Sequence, residues 1–468
     1  MRKALIADAL IYGGVDFLWK FINFALFPLL AYLLSVEEFG VYTLLNVATW
    51  LTVMVINCGL HVSLEKFYLS PNSNDHEKKQ IVSTSLIWLS SCGTLLVGGG
   101  LILSYIARNL FVQIEWKLFA IALATSLPMS IFHYLCNVCR VSFCPWKFSL
   151  LHFLQNSCAL IVGLSLVFFF HQGVAGLLWG SLLSFAFLLP LAFFLVVPSL
   201  RFTFHSPLAK TLLLFGMPFL FNDLARWTYS WLDRFWLEQL ATLEEVGLYG
   251  MAFKLATPLI FLITAFSLAW TPYALKEVKN REAFLQKSLL SWLAFLTFCA
   301  TGISLFAGDL LRWLTPFPFW GAAPLVPPIA AGLVFLGSNQ VTQVVLMHDN
   351  KTEKIALLAW LGGLINCFCN FLLIPFWGGL GAALSLSLTY LFIGVGTYMF
   401  ARKTFFFHDG RLGSCLILTC IGCYGGFFLE ALEVKIGLLA FIGLGALYLS
   451  QNLFSLSNSL HTARRSFR

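Results

Sequence analysis

Glu37-Glu38-Phe39-Gly40-Val41-Tyr42 returns 207 residues later as Glu244-Glu245-Val246-Gly247-Leu248-Tyr249. The same offset holds without a gap back to Asp16 in the first copy and Asp223 in the second. Each copy opens in a hydrophobic helix that carries charge. One unit has been used twice, and internal repeats of this kind are common in transporter folds.

The rest of the chain is of one kind. Of 468 residues, 59% are hydrophobic and 11% charged, against about a quarter charged in soluble domains. Mean hydropathy is +0.84. Apolar stretches recur from 10–34 to 414–431 and 436–455, each near the length of about 20 residues that crosses about 30 Å of hydrocarbon. We count fourteen, so the expected fold is an all-α polytopic membrane protein of 12–14 spanning helices. The ten-residue alternation of a membrane β-barrel is absent. An offset of 207 covers six helices, an even number, so both copies enter the membrane from the same side. The expected architecture is a parallel repeat: six-helix lobes over 1–200 and 201–401 facing each other across a cavity. Two further helices and a basic tail fill 402–468.

Basic residues set the orientation. Of 29, 21 fall on the side of the N-terminus in alternate loops, among them Lys78, Arg140, Lys210, Lys351 and Arg464. Both termini are therefore expected on the cytoplasmic side. The net charge of +8 reflects topology and anionic lipid, with no case for nucleic acid. The first apolar run, interrupted by Asp16 and Lys20, reads as a retained helix and not a cleaved signal. Nearly all of the twelve cysteines lie in apolar segments, where they act as small hydrophobes. Cys136/Cys139 and Cys420/Cys423 do not make the four-ligand set of a zinc site. No metal or other cofactor is expected. No loop is long enough for a catalytic domain, and no GxxxxGK[ST] loop occurs to hold nucleotide phosphates.

Charge inside the apolar segments is the strongest functional signal, because a charged side chain at mid-bilayer costs about 2.5–3.5 kcal/mol on insertion scales. Asp16, Lys20 and Asn23 share one face of the first helix; Asn222, Asp223, Arg226, Ser230 and Asp233 make a similar stripe on the seventh, with Arg234 beside it. Asp16 with Lys20 and Asp223 with Arg226 have the spacing of local ion pairs. Lys254 has no acid within one turn. Lys20, Arg226 and Lys254 against Asp16 and Asp223 leave one positive charge, which suits a phosphate-bearing ligand. The acids are candidate proton or sodium sites. Asn366 and Asn370, at i,i+4 spacing, are read either as interhelical hydrogen-bonding groups or as cavity lining. Pro28, Pro128, Pro258 and Pro375 are expected to kink their helices.

Leu33-Leu34-Ser35-Val36-Glu37-Glu38-Phe39-Gly40-Val41-Tyr42, with Phe215-Gly216-Met217-Pro218, Asp233-Arg234-Phe235 and Phe253-Lys254-Leu255 in the second half, resembles the polysaccharide (O-antigen type) flippases. These belong to the multidrug/oligosaccharidyl-lipid/polysaccharide exporter superfamily. The resemblance implies a bacterial inner-membrane protein that moves an undecaprenyl-diphosphate-linked oligosaccharide to the periplasmic leaflet by alternating access. It implies membrane lipid, H+ or Na+, and polysaccharide polymerase or assembly proteins as partners, and no enzymatic activity. Lys20, Arg226 and Lys254 would meet the diphosphate and sugar; Arg234 is carried over with its Asp-Arg motif. The rival readings are a drug/cation antiporter of the same superfamily using Asp16 or Asp223, a peptidoglycan-precursor flippase, and a membrane glycan polymerase or acyltransferase. Basic residues disfavour the first, and nearly empty outer loops disfavour the last.

Overall fold

The computed structural model describes residues 18, 21–22, 24–71, 74–106, 114–196, 198, 200, 203–277, 282–401, 411–425, 431 and 433–445. Among them there is no strand. Ten helices are long and apolar enough to cross a membrane, and one of these, Thr352–Ala401, is two helices joined across a break at Gly378 (φ 52°, ψ −130°). The expected crossings at 10–34, 414–431 and 436–455 all run into residues outside the described ones. The chain divides into two compact units, Met1–Trp227 and Thr228–Arg468.

The first unit contains α1 (Phe27–Leu33), α2 (Val36–Asn57), α3 (Leu60–Tyr68), α4 (Asp75–Ile106), α5 (Trp116–Val141), α6 (Pro145–Phe170) and α7 (Gly173–Val196). It also holds most of α8 (Ser206–Trp231), which runs across the boundary. The second contains α9 (Asp233–Leu240), α10 (Leu243–Glu277), α11 (Glu282–Leu305), α12 (Ala307–Leu314), a 3-10 stretch (Phe317–Leu325), α13 (Val326–His348), α14 (Thr352–Ala401), α15 (Arg411–Gly425) and α16 (433–445).

The 207-residue offset reappears in where helices begin. Val36 and Leu243, Asp75 and Glu282, and Pro145 and Thr352 are helix starts separated by that number. The cause at the first pair is local. Ser35 caps α2 in a capping box, its Oγ accepting from Glu38 N–H and its own N–H donating to Glu38 Oε2. Thr242 Oγ1 accepts from Glu245 N–H at the equivalent start of α10. The two carboxylates then reach the same kind of place within their own units. Glu38 Oε1 lies 2.9 Å from where a Cβ on Gly173 (φ +50°) would sit, at the start of α7. Glu245 Oε2 accepts from Gly379 N–H at 2.8 Å, beside Gly378, as the second half of α14 begins. A carboxylate at a helix N-terminus meets unpaired N–H groups and the positive end of the helix dipole.

Packing within each unit follows the rule for lipid, where small residues let backbones approach. In the first unit, a Cβ on Gly180 of α7 would sit 2.4 Å from Gly163 Cα of α6. In the second, α13 is buried along most of its length between α10, α11 and α14, with Trp292 Nε1 of α11 donating to the Gly337 carbonyl at 3.1 Å. The helix breaks fall at glycine. Cys58 and Gly59, at φ 48° and 72°, separate α2 from α3, and Gly378 divides α14. Pro28 sits in the first turn of α1, where its missing N–H costs nothing, while Pro128, Pro258 and Pro375 are inside helices. The two trailing helices lie against α11: Thr419 of α15 shares a 2.7 Å hydrogen bond with Thr297. Lys435 of α16 reaches Asp309 at 2.6 Å.

Candidate functional site

In the second unit, charge has been buried deliberately. α8 gives way to α9 at Leu232, and Asp233 and Arg234 of the first turn are 0% and 1% exposed. Asp233 Oδ1 accepts from Arg234 Nη1 at 3.0 Å and from Arg234 N–H at 3.0 Å. Its Oδ2 accepts from the hydroxyl of Tyr249 on α10. Arg234 Nη1 also donates to the Ser230 carbonyl at 3.2 Å. The rings of Trp231, Phe253 and Tyr249 surround the guanidinium at 4.6, 4.8 and 5.2 Å, in cation–π contact. Tyr390 of α14 closes the group with a 3.4 Å hydrogen bond to Ser230 Oγ. Arg234, expected as a ligand-binding cation, thus has its charge met by protein groups.

Lys254, one residue beyond Phe253, is different. It is half-buried, it has no acidic partner among the described residues, and the charge bearing on it is that of Arg234. Asp233 pairs with Arg234 alone, so Lys254 adds a positive charge that no acid among the described residues offsets. Such a place attracts an anion, and an ammonium offers three donors to its oxygens.

In the first unit, Asp223 does not pair with Arg226. It faces His61 of α3, Oδ2 to Nε2 3.9 Å, with the two side chains 31% and 34% exposed. The break at Gly59 makes this possible: a Cβ there would lie 2.1 Å from the Gly216 carbonyl oxygen, so α3 and α8 touch backbone to backbone. Ser63 Oγ donates to the Leu212 carbonyl at 2.6 Å one turn further on. Glu65, one turn beyond His61, is bound by Arg140 of α5. Arg226 is exposed and has no acidic partner among the described residues, and Asn222 is half-buried. Asp16, Lys20 and Asn23 lie outside the described residues.

Asn366 and Asn370 lie on the first half of α14. Both are fully buried, Asn370 Nδ2 donating to Asn366 Oδ1 at 2.9 Å and Asn366 Nδ2 to Thr389 Oγ1 at 3.4 Å. Through Thr389 they join the two halves of α14. Among the described residues no three His, Cys, Asp or Glu side chains form a metal-binding group. Sequence reasoning missed His61, which spacing along one helix does not reveal. It also missed Tyr249, although Tyr249 is the last residue of the repeated phrase.

The sequence model of the polysaccharide biosynthesis protein family matches residues 5–276. The chain belongs to this family. No curated protein matches it by sequence. Among solved structures, the lipid II flippase MurJ in an inward closed conformation shares 16% identity over 95% of this chain and 99% of its own, with a TM-score of 0.72. A multidrug resistance MATE family transporter of the MOP superfamily, inward-facing, shares 14% over 85% of this chain and 98% of its own, with a TM-score of 0.66. The MATE transporter VcmN of Vibrio cholerae shares 14% over 89% and 98%, with a TM-score of 0.54. This polysaccharide biosynthesis family member therefore has the fold of MOP superfamily transporters. The fold is the one these flippase and transporter structures share.

Proposed function

We propose that this protein is a flippase that carries a polyprenyl-diphosphate-linked oligosaccharide from the cytoplasmic to the periplasmic leaflet of a bacterial inner membrane, by alternating access of two repeat-related lobes. The observation that carries the reading is Lys254, a half-buried cation in an apolar helix with no acidic partner among the described residues. An uncompensated ammonium there is costly unless a ligand supplies the counter-charge. Arg226, exposed and unpaired among the described residues, offers a guanidinium suited to phosphate oxygens. Lys20 is the third cation of the set. Arg234 acts on the ligand indirectly, by holding Trp231, Tyr249 and Phe253 beside Lys254. Asp16 and Asp223 are the candidate sites for a coupling proton or sodium ion.

The rival is a proton- or sodium-coupled multidrug antiporter of the same superfamily. Lys254 and Arg226 oppose it, since both would repel a cationic drug. The test is flipping of an undecaprenyl-diphosphate-linked sugar in vesicles. Wild type should flip it, and Lys254→Ala and Arg226→Ala should each lose about 10- to 100-fold in rate or apparent affinity, the range of one charge-assisted hydrogen bond. Wild-type vesicles that leave this lipid in place but expel a cationic dye along a proton gradient would overturn the reading.

A further inference from the structure

The 207-residue offset gives the Asp233–Arg234 cluster a counterpart in the first unit. Trp231, Asp233, Arg234 and Lys254 fall on Phe24, Leu26, Phe27 and Val47. Phe27 is 1% exposed and packs on Phe24 with ring centroids 5.3 Å apart, and Val47 is 4% exposed. The first copy therefore fills these positions without charge. A buried ion pair in place of packed apolar side chains brings little or no stability, so packing alone does not account for the charge in the second copy.

Trp231 is where that difference meets open space. The guanidinium of Arg234, itself 1% exposed, covers one side of the indole at 4.6 Å. Phe253 lies beside the ring, centroids 5.9 Å apart and tilted by 45°. The indole is nonetheless 39% exposed, while its counterpart Phe24 is half-buried. Lys254 follows Phe253 on α10, and the charge bearing on it is that of Arg234. Indole and ammonium thus border the same guanidinium. A half-buried ammonium in an apolar helix faces water or a ligand and not hydrocarbon, and Trp231 flanks that space.

Given a diphosphate-linked glycan as the ligand, which is the reading proposed for this protein, we infer that Trp231 is its sugar platform: a pyranose ring lies on the open face of the indole while Lys254 meets the diphosphate. An aromatic ring presents a negative face, and the C–H bonds on one side of a pyranose carry the partial positive charge that packs on it. The diphosphate is joined directly to the first sugar, so the headgroup needs a cation and an aromatic plane side by side, as they stand around Arg234. Arg234 and Phe253 hold the indole before the ligand arrives, which lowers the ordering cost of binding. A flat apolar face distinguishes a sugar-bearing lipid from a bare diphosphate, which contacts to the anion alone do not.

Equilibrium binding of two radiolabelled lipids to the full chain in one detergent tests this: undecaprenyl diphosphate bearing a single N-acetylhexosamine, and bare undecaprenyl diphosphate. Wild type should bind the sugar-bearing lipid about 3- to 10-fold more tightly, the range of one aromatic stacking contact. Trp231→Ala should lose that preference, and Trp231→Phe, which keeps an aromatic face over Arg234, should retain most of it. Affinity for the bare lipid should agree within about twofold across the three proteins. Trp231→Ala that weakens both lipids alike would overturn the inference and make Trp231 a positioning residue for Lys254. A preference that survives Trp231→Ala would overturn it by placing the sugar elsewhere. Wild type that binds the two lipids equally would overturn it while leaving the diphosphate reading intact, and wild type that binds neither would overturn both.

Discussion

Asp223 and Asp233 are ten residues apart in sequence, and the protein treats them in opposite ways. Asp233 is fully buried and gives every oxygen to a donor: a guanidinium, a backbone N–H and a phenol. Asp223 is about one-third exposed, and it faces the His61 imidazole 3.9 Å away, beyond hydrogen-bond reach. The first carboxylate is a fixed part of the second unit. The second can exchange partners. Charge in an apolar helix has two physical solutions, complete local satisfaction or access to water and ligand, and only the second is free to act. The same division separates Arg234, ion-paired to Asp233 and ringed by aromatics, from Lys254 and Arg226.

The largest effect that would break this comparison is at Asp233. Asp233→Ala leaves Arg234 buried without its counter-ion and should destabilise the protein by about 3–5 kcal/mol, the cost of removing one member of a buried pair. Arg234→Met together with Asp233→Leu should restore a large part of that loss, because two apolar side chains of similar size carry no desolvation penalty. Thermal unfolding in one detergent for Asp233→Leu, Arg234→Met and the double variant gives the coupling directly. A single variant as stable as wild type would mean that water reaches the pair. Tyr249→Phe comes next: it removes a donor from a buried carboxylate and should cost about 1.5–3 kcal/mol in the same measurement.

How far the sequence foretold all this depends on how local each cause is. The helix starts at Val36 and Leu243 were legible because their signals are short-range: Ser35 or Thr242 three residues before a glutamate caps a helix wherever the chain goes next. That Glu38 and Glu245 also reach Gly173 and Gly378 was not legible, since those glycines lie more than 130 residues downstream. The burial of Asn366 and Asn370 depends on α14 folding back at Gly378, so their i,i+4 spacing fixed the face but not what covers it. Asp223 and Arg226 have ion-pair spacing, yet a helix chooses between a neighbour on itself and one across the interface. The close approach of Gly59 and Gly216 delivered His61 instead.

Glu245 stands between the two aspartates, because its partner is a backbone N–H and not a counter-ion. Glu245→Ala should cost about 1 kcal/mol, typical of a lost helix cap. Glu38→Ala, which also dissolves the Ser35 capping box, should cost at least as much. The melting temperatures of the two variants test whether the repeat copies are energetically equivalent. A near-silent Glu245→Ala would show that Gly379 N–H finds water when the carboxylate is gone.

The smallest stability effect belongs to the aspartate with the most freedom. Asp223→Asn keeps the shape of the side chain and removes one charge from a half-exposed site, where ion pairs contribute about 0–1 kcal/mol. His61→Gln should fall in the same range, and the double variant should show coupling below about 1 kcal/mol. If Asp223 serves exchange and not structure, transport must be the property that moves. In the vesicle assay Asp223→Asn should change the flipping rate, or its response to a proton or sodium gradient, while the melting temperature holds. A large stability loss with unaltered flipping would reverse the assignment: Asp223 would then be a second structural acid, and the distinction from Asp233 would be one of depth alone.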